Sequence, residues 1–172
     1  MTQPDRIARM HEVIRSLGPV WLSGRDGDEG VVLSPGGPFC TDDDLSSAER
    51  KMGVRLPEEY KAFALHYGSP YFMSHKIMAV YPADYDNAGE LPASDDIVAH
   101  YELNIRHGLL RNGEVAFMET DENGVFFFRC AALEDRIESS SEVFRVFGND
   151  DEREVFAPSM VSLFARWVVE DG

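Results

Sequence analysis

The sequence LSSAERKMGVRLPEEYKAFALHYG, residues 45–68, reads as two short helices joined by a turn, and the architecture follows from it. Ser46 and Glu49 have the spacing of a capping box, in which a serine oxygen and a glutamate each satisfy a free amide of the first helical turn. A helix beginning near Ser46 is therefore expected, with Asp42, Asp43 and Asp44 just ahead of it, where the positive helix end favours anions. Gly53 ends that helix. Val54, Arg55 and Leu56 are extended, because Pro57 pushes the preceding residue out of the helical region. The second helix starts at Pro57, a position that lacks only an N–H that would be unpaired anyway. Tyr60, Phe63, Ala64 and Tyr67 form its inner face, and Gly68 terminates it.

Upstream, Ile7, Met10, Ile14 and Leu17 recur at spacings of three and four, which predicts a helix over residues 5–17. Gly18-Pro19 stops it. Residues 20–22 and 31–33 read as short strands around turn chemistry at 24–30, and 34–38 as a loop. Downstream, 77–81 reads as a strand ending at Pro82, 83–92 as a polar loop, and 95–107 as a helix with Ile97, Val98, Tyr101 and Ile105 on one side. Strands at 115–119 and 125–130 flank Asn123-Gly124, a hairpin turn signal. Further strands fall at 143–147 and 154–156. A closing helix at 159–169 carries Met160, Leu163, Phe164, Trp167 and Val168 as its apolar stripe. The order predicts one α+β domain over residues 1–172, a largely antiparallel sheet with helices packed mainly on one face.

The 172 residues are 44% hydrophobic, enough for a real core. Cys40 and Cys130 are 90 positions apart and form no metal-ligand spacing, so both read as reduced thiols, with Cys130 in the core. No apolar run approaches the length that spans a bilayer. The first residues show no secretory pattern, so a cytoplasmic location is expected. Net charge is −15, and it is unevenly placed. Residues 1–83 hold 11 acidic and 9 basic side chains, giving −2, while residues 84–172 hold 20 and 7, giving −13. Such a surface repels nucleic acid and anionic membrane, and attracts and steers a basic protein.

Residues 45–68 resemble the signature of the SUKH superfamily, which includes a fungal cell-wall-synthesis regulator and many bacterial immunity proteins. Glu49, Gly53, Leu56, Pro57, Tyr60, Phe63 and Gly68 match its pattern of short acidic helix, small-residue turn, Leu-Pro, and Tyr and Phe three apart. Strand residues 115–130, with Asp121 and Gly124 at the turn, resemble the family's central hairpin more loosely. The resemblance implies a fold and a binding role. Bacterial members neutralise toxins, often nucleases or nucleic-acid-modifying enzymes, whose basic grooves an acidic protein can occupy. The alternative that the same resemblance implies is an intracellular regulatory scaffold with other protein partners.

The sequence offers little for catalysis. His11, His66, His75, His100 and His107 form no ligand motif and read as surface histidines; neither a metal nor a cofactor is expected. The run Ser139-Ser140-Ser141 lacks a nucleophile-elbow context and reads as a turn. The many carboxylates fall in turns or helix starts, where solvent keeps them ionised, rather than in unlike environments of one cleft. The chain is therefore expected not to be an enzyme. The expected partner-facing patch is Tyr81, Asp84, Tyr85, Asp86, Glu90, Asp95 and Asp96, where aromatic anchors interleave with acids. Asp121, Glu122, Asp150 and Asp151 are its outlying candidates.

Overall fold

The computed structural model describes residues 2–16, 39–69, 71–72, 75–82, 85, 95–120, 123–135, 137–148 and 151–170. The expected strands at 20–22 and 31–33, the stop at 18–19 and most of the loop at 83–92 lie outside them. Five helices are described: α1 (Gln3–Ser16), α2 (Asp42–Met52), α3 (Glu58–Tyr67), α4 (Ile97–Arg106) and α5 (Met160–Glu170). The strands are β1 (Tyr71–Phe72), β2 (His75–Lys76), β3 (Glu114–Glu119), β4 (Gly124–Arg129), β5 (Val143–Phe147) and β6 (Glu154–Ala157). This is the expected α+β class. The main sheet is an antiparallel meander in the order β3-β4-β5-β6, and β1 and β2 form a separate small pair.

Residues 45–68 fold as two helices, with one correction. α2 begins four residues before Ser46. Its cap is Thr41, whose hydroxyl accepts from the Asp44 amide while the Asp44 carboxylate accepts from Thr41. Both pairs fit the capping pattern; Glu49 is simply needed elsewhere. Its Oε1 accepts the Leu56 N–H at 2.8 Å, and its carbonyl accepts the Gly53 and Val54 amides. Glu49 thus staples the turn from both sides. Gly53 makes the turn with φ 71°, a left-handed conformation that suits glycine. Pro57 serves as the N-cap residue of α3 rather than its first helical residue.

Leu45, Ala48 and Met52 of α2 and Tyr60, Phe63 and Ala64 of α3 are buried. The Tyr60 hydroxyl donates to the Met78 carbonyl at 2.7 Å, and the Phe63 ring stacks on Phe164 of α5. α1 buries Met10 and Ile14 and packs on α3 and α5. In α5, Met160, Leu163 and Phe164 are fully buried, as their spacing predicted.

The sheet is apolar on both faces. Val115, Phe117, Phe126, Phe128 and Val143 join the helices in the main core, and Phe117 stacks on Phe128 with centroids 4.2 Å apart. On the opposite face, Ala116, Val125, Phe127, Phe144 and Val146 are covered by Leu110, with Ile105 and Leu109 packed beside it. A bulge at Phe117 interrupts the alternation, so Phe117 and Met118 both enter the main core. The Asn123-Gly124 turn forms, with Asn123 at φ 58°. A Cβ on Gly124 would lie 2.7 Å from the Val146 carbonyl oxygen, which explains the glycine. Residues 77–80 are all buried, yet they are an extended segment rather than the expected regular strand. Ile77 bridges Met118 of β3, and Ala79 bridges Asp96.

Candidate functional site

The segment 77–82 and the start of α4 are tied together by main-chain bonds. The Ala79 amide donates to the Asp95 carbonyl, and the Ile97 amide to the Ala79 carbonyl. This pairing brings Tyr81, Asp95 and Asp96 to one place. It also corrects the part assigned to Asp95. That carboxylate is 4% exposed and is held by protein donors, not by solvent. Lys76 Nζ lies 2.7 Å from Oδ2 and the Tyr81 hydroxyl donates to Oδ1 at 2.9 Å, while the Ser69 hydroxyl donates to the Ile77 carbonyl at 2.7 Å and lies 3.3 Å from Oδ2. Burial alone would raise the Asp95 pKa. The hydrogen bonds from Lys76 and Tyr81, with the Lys76 charge, overcome it and hold the carboxyl below the usual range. Asp95 is therefore an internal anion that fixes Tyr81, not a surface charge.

Asp96 has the other role. It is the N-cap of α4, accepting from the Val98 and Ala99 amides. Burial raises its pKa against those amides and the Lys51 charge. It lines a small cleft of about 130 Å³ together with Asp44, Ser47 and Lys51 of α2, and Tyr81 and Pro82. Tyr85 stands edge-on to Tyr81, with centroids 4.8 Å apart, and is 48% exposed. Asp42 and Asp43, in the first turn of α2, are exposed. The described part of the site is thus an aromatic pair, one of whose rings is anchored from beneath, beside a half-buried carboxylate and an acidic helix start.

Asp84, Asp86, Glu90, Asp121, Glu122 and Asp150 lie outside the described residues. Asp151 is fully exposed and sits in another neighbourhood. Its neighbour Arg153 is bonded to both oxygens of buried Glu114 and to the Leu109 carbonyl, just past the C-terminal end of α4. Tyr81 and Asp95 sit at the N-terminal end of that ten-residue helix, about 15 Å long. The structure does not bring Asp151 into the Tyr81 cluster. The sequence reading missed the α2 residues Asp44, Ser47 and Lys51, and the signal was the alternative cap at Thr41-Asp44. It also missed Lys76, whose partner is 19 positions away.

His100 corrects the expectation of surface histidines. It is buried on α4, with Nε2 3.5 Å from Glu119. Among the described residues, no group of three or more His, Cys, Asp or Glu is placed to hold a metal ion, and no helix is long and apolar enough to cross a membrane. Both cysteines are free thiols. Burial pushes Cys40 up to about 11 and Cys130 up to about 12, so neither is a thiolate near neutral pH.

A model of the SMI1 / KNR4 family (SUKH-1) matches residues 40–166, well over half of the chain. The chain belongs to the SMI1/KNR4 (SUKH-1) family. The match runs from just before α2 into α5 and leaves α1 outside it. Within this SUKH-1 chain the signature residues have structural work: Glu49 staples the turn, Gly53 makes it, and Tyr60 and Phe63 fill the core. They identify the fold and supply no chemistry. No curated protein matches the chain.

Proposed function

We propose that this SUKH-1 protein is a non-catalytic, immunity-type binding protein that neutralises a cognate toxin, a nuclease or nucleic-acid-modifying enzyme, by occupying its basic surface. The observation that carries this reading is the surplus of −13 in residues 84–172, on a scaffold of this family. The Tyr81–Tyr85 pair beside Asp96, with Tyr81 anchored by Asp95, supports it: aromatics next to an anion suit a cationic protein surface. A groove built for a polyanion attracts such a surface and speeds encounter.

The test is binding to the toxin-like product of the neighbouring gene, measured by calorimetry across a salt series, with rescue of cells expressing that toxin. A one-to-one complex that weakens as salt rises, together with rescue, is expected. Neither binding nor rescue would sink the proposal. Binding to several unrelated intracellular proteins, without rescue, would favour a regulatory scaffold instead.

A further inference from the structure

The two outer edges of the meander differ. On the β3 side the edge is covered: Ile77 bridges Met118, and the Met78 amide donates to the Phe117 carbonyl at 2.7 Å. β6 closes the other side of the sheet, and among the described residues no strand or bridge pairs with its outer edge. An edge of this kind presents N–H and C=O groups to an incoming strand. The pleat sorts its side chains. Val155 stands across from Phe144, on the face of Phe127 and Val146, and is 56% exposed. Glu154 stands across from Arg145 on the other face, ion-paired with it at 2.6 Å and still more than half exposed. Asp151 and Glu152, just ahead of the strand, are exposed acids, while the Arg153 side chain is turned inward onto Glu114. A bulge at Phe156 ends the regular edge, and Arg145 and Arg166 both lie over that ring.

We propose that the outer edge of β6 is the docking line for an extended segment of the basic partner protein, which joins the four-stranded sheet as a further strand with basic and apolar side chains alternating. The proposal rests on the reading of the chain as a binder of such a protein. Main-chain pairing supplies the attachment, and alternate side chains supply the choice. A residue beside Val155 is apolar, extending the patch that Phe144 begins. A residue beside Glu154 is basic, because an acid there would meet Glu154 with Asp151 and Glu152 close behind it. Charge also selects against a second copy. Two chains of −15 each, joined along this edge, would crowd the same carboxylates into one interface. The acids that guard the edge against self-pairing are thus the ones that admit a cationic strand. The bulge at Phe156 and the Arg166 charge confine the contact to the first half of β6 and the residues ahead of it.

The test follows amide exchange and amide shifts of residues 152–157 in the full chain. The probes are an end-capped Lys-Val-Lys-Val-Lys peptide, its Glu-Val-Glu-Val-Glu counterpart, and the lysine peptide N-methylated throughout, which keeps the charge but loses the pairing amides. The neighbouring-gene toxin is titrated in parallel. The variant is Val155→Lys, an exposed change that sets a like charge against the incoming strand. The lysine peptide and the toxin should shift these amides and slow their exchange, the two control peptides should not, and both ligands should bind the variant at least about tenfold more weakly. An equal response to the methylated peptide would reduce the contact to charge attraction and overturn strand addition. Full protection of β6 in the free chain overturns it too, as does a dimer in sedimentation that Val155→Lys dissolves. Toxin that binds native chain and variant alike, with β6 exchange unchanged, overturns the role of the edge and leaves the toxin reading intact. A pairing-dependent lysine-peptide response with no toxin binding supports the edge and removes the toxin reading instead.

Discussion

Replacing Asp95 by asparagine removes the charge that ties Lys76 and Tyr81 together while keeping the side chain's shape. The amide oxygen still accepts from Tyr81 at the Oδ1 position, but the NH₂ group that replaces Oδ2 meets the Lys76 ammonium donor to donor. A hydrogen bond to an ionised partner is worth about 1.5–3 kcal/mol. Lys76 is 34% exposed and regains some water, which discounts the loss of its ion pair. The expected cost is about 2–3 kcal/mol at pH 7, with the Tyr81 bond weakened alongside the pair. For a domain of this size that lowers the melting temperature by roughly 4–12 °C. The pH dependence follows from the sign of the shift. The folded pKa of Asp95 lies below its ordinary 3.8, so its contribution is complete above 3.8 and is lost as pH falls through the folded value. Urea unfolding followed by far-ultraviolet circular dichroism from pH 7 to pH 2 measures both quantities. Lys76→Met in the Asp95→Asn background should cost less than in the native chain. A cost below about 0.5 kcal/mol at pH 7, or one of the same size at pH 2, refutes the assignment of Asp95 as an ionised internal anchor.

Gly124→Ala places a methyl against the Val146 carbonyl, the Phe147 ring and the Thr120 hydroxyl, and should destabilise by about 1–3 kcal/mol in thermal melts. Gly53→Ala meets nothing within 4 Å, so only its left-handed backbone is penalised, at about 1–2 kcal/mol. Phe128→Ala opens the stack on Phe117 and the contact with Tyr60, and denaturant titration should show a loss of about 3–5 kcal/mol. Glu59→Gln should melt higher than the native chain at neutral pH. The raised folded pKa means that ionised Glu59 penalises the fold above that value, and the difference should fade as pH falls through it towards 4.5.

Features set by neighbours in the chain were legible from the sequence. The spacing of Met160, Leu163 and Phe164 placed a helix face, Gly53 and Gly68 marked two helix ends, and Asn123-Gly124 located the hairpin. Features set by distant partners were not. Ser46-Glu49 and Thr41-Asp44 both satisfy the capping pattern, and the choice between them depends on the Leu56 amide, which claims Glu49 only once the turn has formed. Asp95 and Asp96 are adjacent identical side chains with opposite pKa directions, because Lys76 reaches only the first. Residues 77–80 read as a strand because they are apolar. Their continuous burial comes from lying between β3 and α4, which no local periodicity encodes. Glu59 stands in a helical first turn, where an acidic residue attracts no notice, and only packing against α5 encloses it.

The meander lays its four strands side by side in the order the ribosome delivers them. Each joins a neighbour already present, and no later stretch must thread between two earlier ones. The connections after β3 and after β5 therefore close locally. Their tips can be lengthened, shortened or recharged without disturbing the paired registers behind them. Variation can then gather on the outer contours while the interior is inherited unaltered.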